Sequence, residues 1–152
     1  MVTGCTGLLG ASFVKGISEA GGIPFIVGRN AQVAKERAWD IIKQGGNAIA
    51  LVADVLNKDE LLTAKKIIME KFGRIDGLVN ASGGNMPEGT VQPDNDIFNI
   101  NIEGMRKVLD INLFGTLLPV QVFGQAIAKR WRQHCEPVLN ELVASCYSGI
   151  RL

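Results

Sequence analysis

Three observations predict an α/β fold built on a doubly wound parallel sheet. Short runs are apolar throughout, amphipathic stretches at 3.6-residue spacing alternate with them, and the alternation opens on a glycine turn. Strands buried on both faces read as continuous apolar runs, and parallel strands need helical crossovers between them. Composition agrees: 152 residues with 47% hydrophobic, 20% charged and 18 glycines describe one globular domain.

In chain order, Met1-Val2-Thr3-Gly4-Cys5-Thr6-Gly7-Leu8-Leu9-Gly10 is a strand end, a turn and a helix start. Small and apolar residues continue at helical spacing from Leu8 to Ala20, and Gly21-Gly22 stops that helix. Ile23 to Val27 is a short strand. Asn30 caps a second helix, with Ala34, Ala38, Ile41 and Ile42 on one face before Gly45-Gly46. Ala48 to Ala53 is the third strand. Asn57 followed by Glu60 resembles a capping box for a helix lined by Leu61, Ala64, Ile68 and Phe72. Asp76 to Asn80 is the fourth strand, and residues 81–101 form a long connection. Helix resumes from Ile102 to Asp110 and again from Leu113 to Lys129, with Leu117, Val120, Val122, Phe123 and Ile127 as apolar positions and Pro119 in a first turn. About four strands in the order 3-2-1-4 give an incomplete Rossmann-like sheet, whose fourth strand leaves an apolar edge open.

Several functions are disfavoured. A net charge of +1 offers no electrostatic footprint for nucleic acid or an anionic membrane. The basic run Lys129, Arg130 and Arg132 around Trp131 is too short to change that. Cys5, Cys135 and Cys146 are odd in number and at no ligand spacing, and His134 is the only histidine, so neither a disulfide framework nor a metal site is expected. No apolar run is expected to reach bilayer length and no signal peptide is recognised, so the chain reads as soluble and cytoplasmic.

The glycines at 4, 7 and 10 carry a specific chemistry. A helix start offers unpaired N–H groups and positive dipole charge, and a turn without Cβ atoms lets a pyrophosphate approach that backbone. Thr3-Gly-Cys-Thr-Gly-Leu-Leu-Gly10, Ala53-Asp54-Val55, Asn80-Ala81-Ser82-Gly83-Gly84-Asn85 and Asp110-Ile-Asn112-Leu-Phe-Gly-Thr116 stand in the order and intervals of a short-chain dehydrogenase/reductase. The chain resembles that family over Met1 to Lys129. Within it, Gly83-Gly-Asn-Met-Pro87 and Asn112-Leu-Phe-Gly-Thr-Leu-Leu-Pro-Val-Gln121 look like the D-mannonate oxidoreductase (fructuronate reductase) branch, with gluconate 5-dehydrogenase-like enzymes as neighbours.

The resemblance implies a nicotinamide cofactor held by Thr3, Gly4, Thr6, Gly7, Leu8, Leu9 and Gly10 at the turn. Arg29 and Asn30 follow the second strand, Asp54 and Val55 the third, and Asn80, Ala81, Ser82 and Gly83 the fourth. Asp54 would accept from the adenine amino group with Val55 flanking the ring; the alternative is an Asp that caps its own turn. NAD-preferring enzymes carry an acid at the end of the second strand, which repels a 2′-phosphate. Gly28 stands there instead, and Arg29 offers a charged donor fork, which favours NADP over NAD. Among the catalytic residues only Asn112 is expected in this chain.

The remaining catalytic set, a Ser and a Tyr four residues before a Lys, is not matched. The single tyrosine, Tyr147, has Arg151 four residues on, but Gly149 interrupts the segment and Arg151 cannot deprotonate as a relay requires. Ser145 reads as an ordinary serine. Where a Gly-rich turn and a Ser-bearing strand are expected stands Arg130-Trp-Arg-Gln-His-Cys-Glu-Pro-Val-Leu-Asn140. With suitably chosen codons, reading this stretch one base later yields Gly-Gly-Gly-Asn-Ile-Val-Asn-Leu-Ser-Ser. The expectation is a dinucleotide-binding domain over 1–129 and a non-native tail over 130–152, with most of the first strand absent before Met1. Three functions follow: an oxidoreductase by descent, acting on a sugar acid such as D-mannonate or D-fructuronate but inactive as it stands; a non-catalytic NADP-binding or sensing module; or an inert fragment. Complete relatives are homo-oligomers, an assembly doubtful here.

Overall fold

The computed structural model describes residues 1–91 and 96–130. Four parallel strands, β1 (Val2–Thr3), β2 (Phe25–Gly28), β3 (Ile49–Val52) and β4 (Val79–Asn80), pair in the order β3-β2-β1-β4. Helices α1 (Leu8–Glu19), α2 (Ala31–Lys43) and α3 (Lys58–Phe72) alternate with them, and α4 (Ile102–Arg130) follows β4. The predicted order is thereby observed, although β1 and β4 are only two residues each. The short central strand is held on both sides, with Val2 in register with Ile26 and Val79, and Thr3 with Asn80. The Met1 ammonium extends this ladder by donating to Gly77 O at 2.7 Å.

Strand pleating sends alternate side chains to opposite faces. Met1, Phe25, Val27 and Leu51 join Leu61, Ala64 and Ile68 of α3 and Val122 and Phe123 of α4 in one core. Val2, Ile26 and Ala48 join Val14 of α1 and Ala34, Ala38 and Ile41 of α2 in the other. Ile42, expected on the buried face of α2, is 44% exposed, because a residue adjacent to Ile41 is turned about 100° away from it. The caps are those expected, with one change. Asn30 Oδ1 accepts from Val33 N, and Asn57 Oδ1 from the backbone of Asp59 and Glu60. Glu60 closes the box by accepting from the Asn57 side-chain amide and from Asp54 N, two residues after the end of β3, instead of from Asn57 N.

The two helices expected after residue 101 are one. A π-turn over Asp110–Phe114 joins the halves, so Pro119 lies inside the helix and is fully buried. The wider turn shifts the phase of the apolar positions. Val122 and Phe123 face the sheet, whereas Leu117 and Val120 point outward with Leu109 and Leu113. Read as one element, α4 is also long and apolar enough by length and composition to cross a membrane, with mean hydropathy 1.4 and no charge over 111–128. That corrects the sequence expectation, which divided the run; here one face of the helix is packed on the sheet. Lys65 of α3 ties the two elements by donating to Val122 O at 2.7 Å.

Phe123 is fully buried between the sheet and α3. Phe123→Ala is expected to lower the unfolding free energy by ~3–5 kcal/mol, read from urea denaturation.

Candidate functional site

In an open doubly wound sheet, ligands bind outside the carboxyl ends of the strands where the order reverses. Here the chain moves from β1 outward to β2 and β3, then returns to place β4 on the other side of β1. A crevice of about 310 Å³ opens at that edge, lined by Gly4, Thr6 and Gly7 after β1, Gly28 and Arg29 at β2, and Ala53, Asp54 and Val55 after β3. Ala81, Ser82 and Gly83 after β4 and Ile111 of α4 complete it. A groove of about 410 Å³ between α1 and α2 is larger, but it is lined by helix sides such as Lys15, Ser18 and Asp40, away from this edge.

The three glycines of the turn do different work. Gly4 has φ +65°, and a Cβ there would run into the Ala81 carbonyl and Ser82 N, so it serves the close approach of two turns. A Cβ on Gly10 would meet Cys5 Cα at 2.5 Å, which makes Gly10 a packing residue at the helix start. Gly7 has φ −83° and meets nothing closer than Gly4 O at 3.5 Å. It faces open crevice. Gly7 also caps α1 without a side-chain bond, so the first N–H groups of that helix have no side-chain cap. An uncapped helix start beside a glycine that the fold does not crowd fits a diphosphate.

The side of the crevice at β2 and β3 carries its charged residues, Arg29 and Asp54. Arg29 Nη1 stands 3.9 Å from Asp54 Oδ2 across the crevice, with the Arg29 side chain 76% exposed. The other Asp54 oxygen accepts from Leu56 N at 2.9 Å, so this carboxylate caps its own turn and lines the crevice as well. A Cβ at Gly28 would meet Thr6 Cγ2 at 2.9 Å, leaving little room for an acidic side chain.

Other expected site residues lie elsewhere. Thr3 is fully buried in β1 and Asn80 partly buried beside it; neither Thr3 Oγ1 nor Asn80 Oδ1 has a hydrogen-bond partner among the described residues. Leu8 and Leu9 are exposed at the start of α1, and the Asn30 side chain is engaged as the cap of α2. Asn112 sits in the π-turn. Its Nδ2 donates to Gly84 O and Val108 O, both at 2.8 Å, and its Oδ1 accepts from Gly84 N at 3.1 Å. The carboxamide thus clamps the loop after β4, and a Cβ on Gly83 would meet it at 2.7 Å. Ser145, Tyr147 and Arg151 lie outside the described residues, as do His134, Cys135 and Cys146.

Arg37 of α2 escaped the sequence reading. It donates to Gly7 O at 2.8 Å and to Thr6 O at 3.1 Å. A charge on a helix otherwise read for its apolar face gives no sign of such a contact. Cys5, inside the turn, is fully buried and donates to Val2 O at 2.8 Å; burial pushes its thiol up from 9.0 to about 11.

A doubly wound sheet with an uncapped glycine turn at its switch point defines a domain of the dinucleotide-binding class. Residues 1–133 match the short chain dehydrogenase family model, and the chain belongs to that family. It is 30% identical over 137 residues to UxuB of Bacillus subtilis, an uncharacterized oxidoreductase, covering 85% of this chain and 49% of that protein. The fold is similar to a candidate D-mannonate oxidoreductase from Haemophilus influenza solved with bound NAD, with TM-score 0.77, 29% identity, and coverage of 83% of this chain and 49% of that one. A 3-ketoacyl-ACP reductase from Sinorhizobium meliloti 1021 follows at TM-score 0.74 and 26% identity, over 86% and 50%. The chain spans about half the length of these relatives.

Two outcomes follow from the turn. Gly4→Ala is expected to cost several kcal/mol in urea denaturation, since it adds both strain at positive φ and a backbone clash, on the order of 2–4 kcal/mol. Gly7→Ala, with neither, is expected to stay within ~1 kcal/mol of the parent. A second outcome concerns pH. The folded Cys5 thiol keeps its proton up to about 11 against 9.0 for the free group, so its contribution is intact below 9.0 and drains as pH rises toward 11. The urea midpoint of the parent is expected to fall relative to that of Cys5→Ala across this window.

Proposed function

We propose that this chain carries the cofactor-binding half of an NAD(P)-dependent oxidoreductase, and that it prefers NADP. The observation that carries the reading is the crevice itself. A diphosphate fits the open side of Gly7 and the start of α1, and a 2′-phosphate fits the exposed Arg29 fork where Gly28 supplies no opposing acid. Gly4, Thr6, Asp54, Val55, Ala81, Ser82 and Gly83 line the same crevice and complete the proposed cofactor set, whereas Thr3, Leu8, Leu9, Gly10, Asn30 and Asn80 stand outside its lining and support it. The bound group would supply hydride chemistry; the chain's own residues bind and orient it.

The substrate in this reading is a sugar acid such as D-mannonate or D-fructuronate. It is supported by the branch resemblance of the Gly83–Pro87 run and by the naming of the Haemophilus relative. Asn112 is the chain's contribution to the catalytic framework, holding the loop after β4 in place. We take the protein to be soluble and cytoplasmic, with α4 serving as a core helix through Val122 and Phe123. Turnover by the 152-residue chain alone is expected to be negligible, because its sequence carries no Tyr with a Lys four residues on.

A second reading is a non-catalytic NADP-binding or sensing module. It is favoured by one observation, that the only tyrosine is Tyr147, with Arg151 and not a lysine four residues on.

Fluorescence titration tests the shared part of both. The chain is expected to bind NADPH more tightly than NADH. Arg29→Ala is expected to weaken NADPH roughly tenfold, the equivalent of ~1.4 kcal/mol, and to leave NADH within about twofold. Addition of D-fructuronate is expected to leave NADPH absorbance unchanged; steady oxidation by the purified chain would sink the claim of inactivity.

A further inference from the structure

We propose that Arg37 is a positioning residue for the glycine turn, holding the carbonyls of Thr6 and Gly7 so that the first N–H groups of α1 stay aimed into the crevice. The inference rests on the cofactor reading above and deepens it. From the second turn of α2, Nη1 reaches Gly7 O at 2.8 Å and Nη2 reaches Thr6 O at 3.1 Å, a planar fork on two consecutive carbonyls. In a trans peptide the carbonyl and the following N–H point in opposite directions. Fixing Gly7 O toward α2 therefore directs Leu8 N–H the other way.

Little else in the turn does this. Helix α1 opens without a side-chain cap and without an acidic residue in its first turn. Gly7 O accepts the first helical bond, from Ala11 N, at a long 3.3 Å, and the guanidinium supplies a shorter one to the same oxygen. Glycine turns lose more conformational freedom on ordering than any other sequence. A fork that orders the turn beforehand removes that loss from ligand binding. The guanidinium also places a permanent positive charge behind the turn, where a pyrophosphate would bring negative charge. Arg37 touches backbone and not the ligand, so it acts through the turn.

The test compares the full 152-residue chain with Arg37→Met and Arg37→Lys, measuring the NADPH dissociation constant and the melting temperature of the ligand-free protein. Arg37→Met is expected to raise the dissociation constant roughly tenfold while the ligand-free melt stays within about 2 °C. Arg37→Lys is expected to recover part of the loss, because an ammonium keeps the charge and reaches one carbonyl. A dissociation constant within about twofold of the parent in Arg37→Met overturns the inference. So does a loss of binding matched by a melt lowered by about 5 °C or more, the mark of a purely structural staple. Failure of the unsubstituted chain to bind either NADPH or NADH overturns the cofactor reading and this inference with it, and is told apart because it does not depend on residue 37.

Discussion

The contact of Gly4 with the Ala81–Ser82 peptide is the constraint on which the rest of the site depends. A left-handed φ and the missing Cβ let the turn after β1 sit against the turn after β4, closer than any other residue would allow. The same contact lies directly above the Thr3 and Asn80 register pair, so the sheet's central ladder and its ligand edge share one anchor. Two-residue strands are short for a parallel sheet. They persist because β1 is paired on both sides and extended at its start by the Met1 ammonium on Gly77 O.

From that anchor the two faces of the sheet diverge in purpose. On the face covered by α1 and α2, Ala34, Ala38 and Ile41 of α2 pack with Val2 and Ile26 of the sheet, and from this seated helix Arg37 reaches the turn. The face covered by α3 and α4 is built of larger ones, Leu61, Ile68, Ile75 and Phe123. Helix α4 serves two ends there. Its later half packs on the sheet, and its π-turn presents Asn112 to Gly84, a place where such turns commonly carry function. Its outer stripe of Leu109, Leu113, Leu117 and Val120 is exposed, on the helix that follows β4, an edge strand among the described residues.

The crevice is polar but lightly charged. Arg29 and Asp54 face each other at 3.9 Å near water, a separation and exposure at which an ion pair contributes little to folding. Both groups are thus available to a ligand at small cost. Arg37, partly buried and bonded to two carbonyls, is committed to the backbone instead. Two arginines eight positions apart divide the work between contact and support because one follows the end of β2 at the crevice and the other, in the second turn of α2, reaches the glycine turn from its far side.

Helix caps and the glycine turn were legible in the sequence because each rests on local chemistry, and the strand order followed from the doubly wound architecture that the alternating elements resemble. Asn30 and Asn57 cap by bonding residues two and three positions on, and Gly4 answers a φ that belongs to its own residue. Legibility ended where partners are distant along the chain. Pro119 was expected in the first turn of a separate helix, yet a π-turn and packing on the sheet carry α4 through as one helix. The carboxamide of Asn112 is engaged by a loop 28 residues earlier, and Arg37 by a turn 30 and 31 residues earlier. By itself, then, the sequence determined which segments become strands and helices and that an open crevice would form at the glycine turn. Which side chains support that edge was decided only by tertiary structure, since their hydrogen bonds exist solely once β1, β4, α2 and α4 have been brought together.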